Sequence, residues 1–297
     1  IDKALSGVEK LGNPWGKKQA DRLNWQKRYN IPDFLVESEY YLFSCCTETY
    51  AEENSPLAQS TPALAQLMSM AEISFGTRGD KQVCCGDIAK NSGDKELTRT
   101  NSDKNFALFD HIGNKKIVTT SPHCYAALQD KIDAQSKNID VVHSVSLLDK
   151  LIKENKLTPL KKLNHTVTYH DPCYLGRHQK IFDEPRNILQ SIPGLKLIEM
   201  QNHKTRSLCC GGGGGGVFNP AAMSPENSRI RLDEAISTGA ELLVTSCPYC
   251  LHMFEKTING HNLMNNIKVI DLSELLLKSM EVSSKQEISE EKETVHA

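Results

Sequence analysis

No stretch of this chain approaches the roughly 20 consecutive apolar residues that a transmembrane helix needs. The net charge is −2 across 297 residues. With no basic field, nucleic acid is not expected as a partner. The opening Ile1-Asp2-Lys3 has neither a Met nor an apolar signal core, which predicts a processed or truncated start. There is no GK[ST] element and no G-x-G-x-x-G turn entered from a strand, so a nucleotide-phosphate cradle is not expected. The run C-x2-C-x2-C-x3-C of cubane-cluster proteins is missing too. Electrons arriving through ordinary cubane clusters would therefore come from another subunit or from a missing N-terminal segment. Only one C-x-x-C is present, Cys247–Cys250, whereas a zinc ribbon needs two. Just 47 residues follow it, too few for a thioredoxin-like domain built around a redox dithiol.

What is abundant is cysteine, ten in all. A secreted disulfide scaffold is usually a short chain that cannot build a core, and this one can. With 39% hydrophobic and 24% charged residues it has the balance of a globular protein of about two domains. Cys45-Cys46, Cys84-Cys85 and Cys209-Cys210 are also vicinal pairs, which bond to each other only under strain. Reduced thiolates acting as metal ligands in a cytoplasmic chain fit better.

The cysteines repeat. Cys173, then Cys209-Cys210-Gly211, then Cys247-Pro248-Tyr249-Cys250 follow the same layout as Cys45-Cys46, then Cys84-Cys85-Gly86, then Ser121-Pro122-His123-Cys124. Two long modules are predicted, at residues 39–160 and 161–280, after an N-terminal arm and linker at 1–38. The first module has Ser121 where the second has Cys247. Either Cys45 makes up the missing thiolate or the first site holds something different.

Short β-branched or aromatic runs lead into the cysteines: Tyr40–Phe43, Lys116–Thr120, Thr166–Tyr169 and Leu242–Thr245. These read as buried strands. Pro62–Ala71 and Ser228–Ser237 read as helices between them. The fold class is therefore α/β, with two tandem pseudo-symmetric modules of parallel sheet facing each other across a cleft. Ligand sites belong at the strands' C-terminal ends. Asn13-Pro14-Trp15-Gly16 and the basic run to Trp25 read as an arm lying on the surface. Residues 281–297, rich in Ser, Glu and Lys, read as a disordered tail.

The second module offers five thiols: Cys173, Cys209, Cys210, Cys247 and Cys250. Buried structural cysteine explains one or two of these, not five at strand ends. Gly211–Gly216 lets backbone N–H groups approach a ligand, and hydrogen bonds to cluster sulfurs are one lever on reduction potential. Cys46, Cys84, Cys85 and Cys124 are the four thiols of the first module and would also suit zinc. His123, His170 and His178 stand near the cysteines as proton donors, ligands or structural side chains. Arg177 either steers an anionic substrate or forms a surface salt bridge.

At these residues the chain resembles the cysteine-rich CCG domains found in the B-type and D-type subunits of heterodisulfide reductase. Similar domains occur in the iron–sulfur subunits of glycolate and lactate oxidation, and in membrane oxidoreductases serving electron-transfer flavoprotein. Tyr169-His170-Asp171-Pro172-Cys173-Tyr174-Leu175-Gly176-Arg177 and Cys209-Cys210-Gly211-Gly212-Gly213-Gly214 carry the resemblance, which spans about Tyr40 to Leu277. It implies a noncubane [4Fe-4S] cluster on Cys173, Cys209, Cys210, Cys247 and Cys250. It also implies a second [4Fe-4S] cluster, or zinc, on Cys46, Cys84, Cys85 and Cys124, with Cys45 where members usually have Gly. The expected activity is electron transfer to a disulfide-type substrate. The alternatives are an electron relay between a flavoprotein and quinone, or a structural zinc module that docks other subunits. Asn13–Gly16 resembles the segment that follows a ferredoxin domain in longer members. The resemblance thus implies a ferredoxin-like partner subunit or a missing N-terminal domain, a flavoprotein or membrane subunit, and membrane association only through such a partner.

Overall fold

Strands that are apolar on both faces need cover on both sides, which a parallel sheet flanked by helices supplies. The computed structural model describes residues 1–109, 116–135, 139–219 and 224–280 and holds two such sheets. The first contains β1 (Tyr40–Leu42), β2 (Phe75–Gly76), β3 (Lys116–Thr119) and β4 (Asp140–His143) in the order β2-β1-β3-β4. The second contains β5 (Thr166–Tyr169), β6 (Lys196–Leu197), β7 (Leu242–Thr245) and β8 (Lys268–Asp271) in the order β6-β5-β7-β8. Every pairing is parallel. The α/β architecture and its internal repeat are thus those the sequence predicts, and the four predicted strands fall within a residue of β1, β3, β5 and β7.

Helices α1 (Asp2–Leu11) and α2 (Gln19–Arg28) precede β1. Then α3 (Cys46–Thr49) and α4 (Ser60–Met70) lead to β2, α5 (Asp87–Asn91) and α6 (Lys95–Phe109) to β3, and α7 (Pro122–Gln135) to β4. After α8 (Ser144–Lys153), the second sheet is connected by α9 (Glu184–Ser191), α10 (Ser224–Ser237) and α11 (Pro248–Gly260), and α12 (Leu272–Lys278) closes the described chain. The predicted tail lies outside the described residues.

The strand order places the sites. From β1 the chain crosses to β2 on one side, and later β3 adds on the other. A crevice therefore opens between the C-terminal ends of β1 and β3, and likewise between β5 and β7. Those ends carry Cys45-Cys46, Ser121–Cys124, Cys173 and Cys247–Cys250.

The modules meet through a shared apolar core rather than across an open cleft. Leu64, Leu67 and Met68 of α4 belong to the same buried cluster as Leu272, Leu275 and Leu276 of α12, and it extends to Val167, Tyr169 and Ile188. The surface-arm expectation meets a segment that is buried along one side and exposed along the other. Trp25, Arg22, Gln26 and Asn13 are all buried. Gly12 O accepts from Cys84 N–H at 2.7 Å, and Trp15 packs on Phe218 of the second module at 4.9 Å between ring centroids. The arm's buried polar side chains meet polar backbone, while Lys17, Lys18, Asp21, Lys27 and Arg28 stay exposed. Arg22, for example, donates to the carbonyl of Ser44 at 3.1 Å and to its hydroxyl at 2.8 Å, directly before Cys45.

Asp271 ends β8 and caps α12, accepting from Ser273 N–H at 2.8 Å. Burial raises its carboxyl to about 7, over the opposing hydrogen bonds from Ser273. Because the folded value lies above the ordinary 3.8, this group's stabilisation is complete below about pH 4 and is lost as pH rises to about 7. Asp271→Asn keeps the cap and removes the charge. Urea unfolding of the variant at pH 5 and pH 7.5 is expected to show a smaller fall in stability with pH than the wild type.

Candidate metal centre

The two sheets carry equivalent ladders, so equivalent residues can be counted from them. Leu42 pairs with Val118 as Tyr169 pairs with Val244, and the next N–H, of Phe43 or His170, donates across at 2.9 Å in both. By that register Cys46 matches Cys173, Ser121 matches Cys247, Cys124 matches Cys250, and Phe43 matches His170.

All ten cysteines are free thiols. In the second module their contacts run in sequence. Cys173 hydrogen-bonds to Cys209, Cys209 to Cys210, Cys210 to Cys250 at 3.1 Å between sulfurs, and Cys250 to Cys247. Cys210, Cys247 and Cys250 are buried, while Cys173 and Cys209 are half-buried and form the open side. In the first module the contacts close into a ring: Cys45 to Cys46, Cys46 to Cys84 with sulfurs 3.9 Å apart, Cys84 to Cys85, Cys85 to Cys124, and Cys124 back to Cys45. All five are buried. The four thiols taken from sequence are together, and Cys45, the doubtful one, completes them. It also contacts Ser121, so it stands beside the position that lost its cysteine.

Ser121 has a local reason to be there. Its hydroxyl accepts from Cys124 N–H at 3.3 Å at the start of α7, and at the start of α11 the Cys250 N–H likewise favours the Cys247 thiolate. Serine is a strong N-cap, so the helix start survives the exchange of sulfur for oxygen.

The glycine of each Cys-Cys-Gly turn has a left-handed backbone, φ 89° at Gly86 and 82° at Gly211. That conformation turns the glycine N–H back to the first cysteine's sulfur, at 3.3 Å from Gly211 to Cys209, with a matching bond from Gly86 to Cys84. A side chain there would be strained by about 1–2 kcal/mol.

These contacts set the thiol acidities. Hydrogen bonds from Cys173 and Cys210 hold Cys209 well below the ordinary thiol range. Those from Cys124 and Cys46 do the same for Cys45, and those from Cys46 and Cys85 for Cys84. Burial opposes the charge on Cys247, but Cys250 and His123 outweigh it and lower the thiol to about 6. Five polarised sulfurs at each strand-end crevice, with glycine N–H groups on two of them, suit a thiolate-bound metal cluster.

His123 belongs to the first module and touches the second. Its Nδ1 lies 3.0 Å from Asp87 Oδ2, it hydrogen-bonds Cys247, and its ring stacks on Tyr174 at 3.9 Å. Burial disfavours its charge, yet Asp87 and Cys247 raise it to about 10. Tyr249 packs on the same ring at 4.6 Å and senses the charges of Cys46, Cys84 and Cys45. The two sulfur sets therefore adjoin each other through His123 and Tyr249.

Arg177 is exposed, but its guanidinium is already engaged by backbone. It donates to the carbonyls of Thr205, at 3.2 Å, and of Ser207, bracing the strand of loop before Cys209. His178 stacks on Tyr174 at 4.5 Å. Sequence reasoning missed Asp87, Arg186 and Arg231. Arg186 is buried and grips Asp171 with two bonds, at 2.8 and 3.0 Å, just before Cys173. Removing one partner of such a pair costs about 3–5 kcal/mol, so this approach to the site is firmly held. Asp87 had a signal in its place after Cys-Cys-Gly. Arg231 had none, since it arrives from a helix distant in sequence.

The model of the cysteine-rich CCG domain matches residues 40–129 and 167–255. The EtfAB:quinone oxidoreductase of Syntrophomonas wolfei is 33% identical over 292 residues, covering 94% of this chain and 40% of that protein. The probable iron-sulfur-binding oxidoreductase FadF of Bacillus subtilis is 31% identical over 289 residues, again 94% of this chain and 40% of that protein. The D-type subunit of the dihydromethanophenazine:CoB–CoM heterodisulfide reductase of Methanosarcina mazei is 31% identical, covering 92% of this chain and 66% of that one. The chain thus spans about two fifths of the length of the first two relatives. Among the described residues no helix is long and apolar enough to cross a membrane.

Proposed function

The chain belongs to the cysteine-rich CCG domain family, and from that premise we propose that it is the iron–sulfur part of an oxidoreductase that delivers electrons to a disulfide-type substrate at its second cysteine set. Cys173, Cys209, Cys210, Cys247 and Cys250 would hold a noncubane [4Fe-4S] cluster. Cys45, Cys46, Cys84, Cys85 and Cys124 would hold the first-module metal, a second cluster in this reading and zinc in the alternative. The clusters supply electrons one at a time. The chain's own residues do the rest: the first set is sealed from water, His123 and Tyr249 join it to the second, and Cys173 and Cys209 leave the second open on one side. That junction is the observation that carries the reading. Reducing a disulfide takes two electrons and two protons and releases two thiols. His123, held by Asp87 at Cys247, keeps a proton at that site.

The 94% of the chain shared with the quinone oxidoreductase favours a second reading, in which the same residues relay electrons between a flavoprotein and quinone. A ferredoxin-like donor domain or subunit is proposed in both cases, since the relatives extend well beyond this chain. Protein purified without oxygen should be assayed with a low-potential donor against an organic disulfide and against a short-chain quinone. Thiol release without quinone reduction is the expected result. Quinone reduction alone would replace the proposal with the relay, and zinc in place of iron in both sets would reduce the chain to a structural docking module.

A further inference from the structure

We propose that His170 is a fixed, neutral hydrogen-bond donor to the sulfurs of the second cysteine set, not a metal ligand, and that it makes that set the more easily reduced of the two. The inference rests on the reading that the set binds an iron–sulfur cluster.

His170 directly follows β5 and is buried, with 1% of its surface exposed. A ring nitrogen and the sulfurs of Cys210 and Cys250 lie within 4.8 Å of one another, which by itself would suit a ligand. Arg231 decides otherwise. Its Nε–H donates to His170 Nδ1 at 3.1 Å. A guanidinium has only hydrogens to offer and does not lose them in a protein, so Nδ1 must accept. The single proton of the neutral ring then sits on Nε2. A nitrogen carrying a proton has no lone pair for iron, but it can donate to sulfur.

Nε2 is buried and has no hydrogen-bond partner among the described residues. Leaving such a donor unpaired costs about 1–3 kcal/mol, so it is a group in want of an acceptor. Arg231 itself cannot easily swing away. It is fully buried, with Nη1 at 2.5 Å from Glu234 Oε2 and 2.8 Å from Asn202 O, and Nη2 at 3.1 Å from Ser207 Oγ. The edge of the His170 ring meets Phe254 at 4.9 Å and 87°, which fixes its plane. Burial, and then the charge of Arg231, also keep the imidazole neutral.

The first module provides the contrast. At the matching place after β1 stands Phe43, also buried, which offers its cysteines no hydrogen. Reduction adds a negative charge to a cluster, and a donor aimed at its sulfurs stabilises that charge. The same fold thus gives the two sites unequal appetites for an electron. The second, half-open site becomes the electron's destination and the sealed first site its source.

The test uses two substitutions that divide the ring's two functions. His170→Asn retains an acceptor near Nδ1 for Arg231 but does not reach the sulfurs. His170→Gln carries an amide N–H close to the position of Nε2. Iron and sulfide content should match wild type in both. In redox titrations followed by EPR, the second-site midpoint should shift to more negative potential in the Asn variant and return toward wild type in the Gln variant, with the first-site midpoint unmoved. Full iron with an unmoved second-site midpoint in the Asn variant would overturn the inference alone. So would loss of about four iron, which would make His170 a ligand. Wild-type protein labelled with 15N-histidine gives an answer that needs no variant: a weak coupling transmitted through a hydrogen bond supports the inference, and the strong coupling of a bound nitrogen overturns it. Wild-type protein that binds no iron would overturn the iron–sulfur reading together with the inference.

Discussion

Protein carrying both Cys209→Ala and Cys210→Ala is expected to lose the second site outright, with about four iron fewer per chain and turnover at the uncatalysed background. These two sulfurs occupy the middle of the contact sequence from Cys173 to Cys247, so their removal separates the flanking pairs rather than trimming an end. The Cys209 sulfur is also the one that receives Gly211 N–H. The first site should keep its metal, because its ring closes without any residue of the second module. Iron and acid-labile sulfide assays of anaerobically purified variant, beside disulfide and quinone turnover, check both halves. Full turnover with the second-site metal gone would remove that set from the reaction.

A second large effect is expected at the residue that sequence comparison between the modules left in doubt. Cys45→Ala should cost the first site its cluster, and adding Ser121→Cys to that variant should restore it. Cys45 touches both Cys46 and Cys124, closing the ring at the place where Ser121 no longer supplies sulfur. The returned cysteine would stand at the start of α7 as Cys247 stands at the start of α11. The same experiment separates cluster from zinc. Zinc needs only four ligands in tetrahedral array. Cys46, Cys84, Cys85 and Cys124 would suffice, so a Cys45→Ala protein that retains one tightly bound zinc, measured by metal analysis, would establish a zinc site. Loss of iron, followed by recovery in the double variant, would establish the five-sulfur requirement.

Much of the site was legible because each module writes its cysteines at strand ends. A short apolar run, then cysteine, then glycine or proline is a local pattern, and local chemistry produces it. The left-handed glycine of Cys-Cys-Gly and the proline-started helix after Cys247 need no distant partner. The repeat then gave the module number and the sheet class. The arm was legible only along its exposed side, for the opposite reason. A polar segment is solvated by default, and only tertiary contacts reveal that Asn13 and Arg22 are themselves buried and spend their hydrogen bonds on backbone carbonyls, of Lys17 and Ser44 among others.

By itself, then, the sequence determined the repeated α/β modules, the cysteine sets and their placement at strand ends. All of these follow from periodicity and from residue types acting on near neighbours. Tertiary structure decided the rest. It brought Cys45 beside Ser121, set His123 of one module against Cys247 of the other, and fixed the proton of His170 with an arginine 61 residues away. Each of these is a contact between groups far apart along the chain. Whether a thiol, an imidazole or a guanidinium acts as acid, donor or ligand depends on which such neighbour it meets in a buried place where water cannot answer for it.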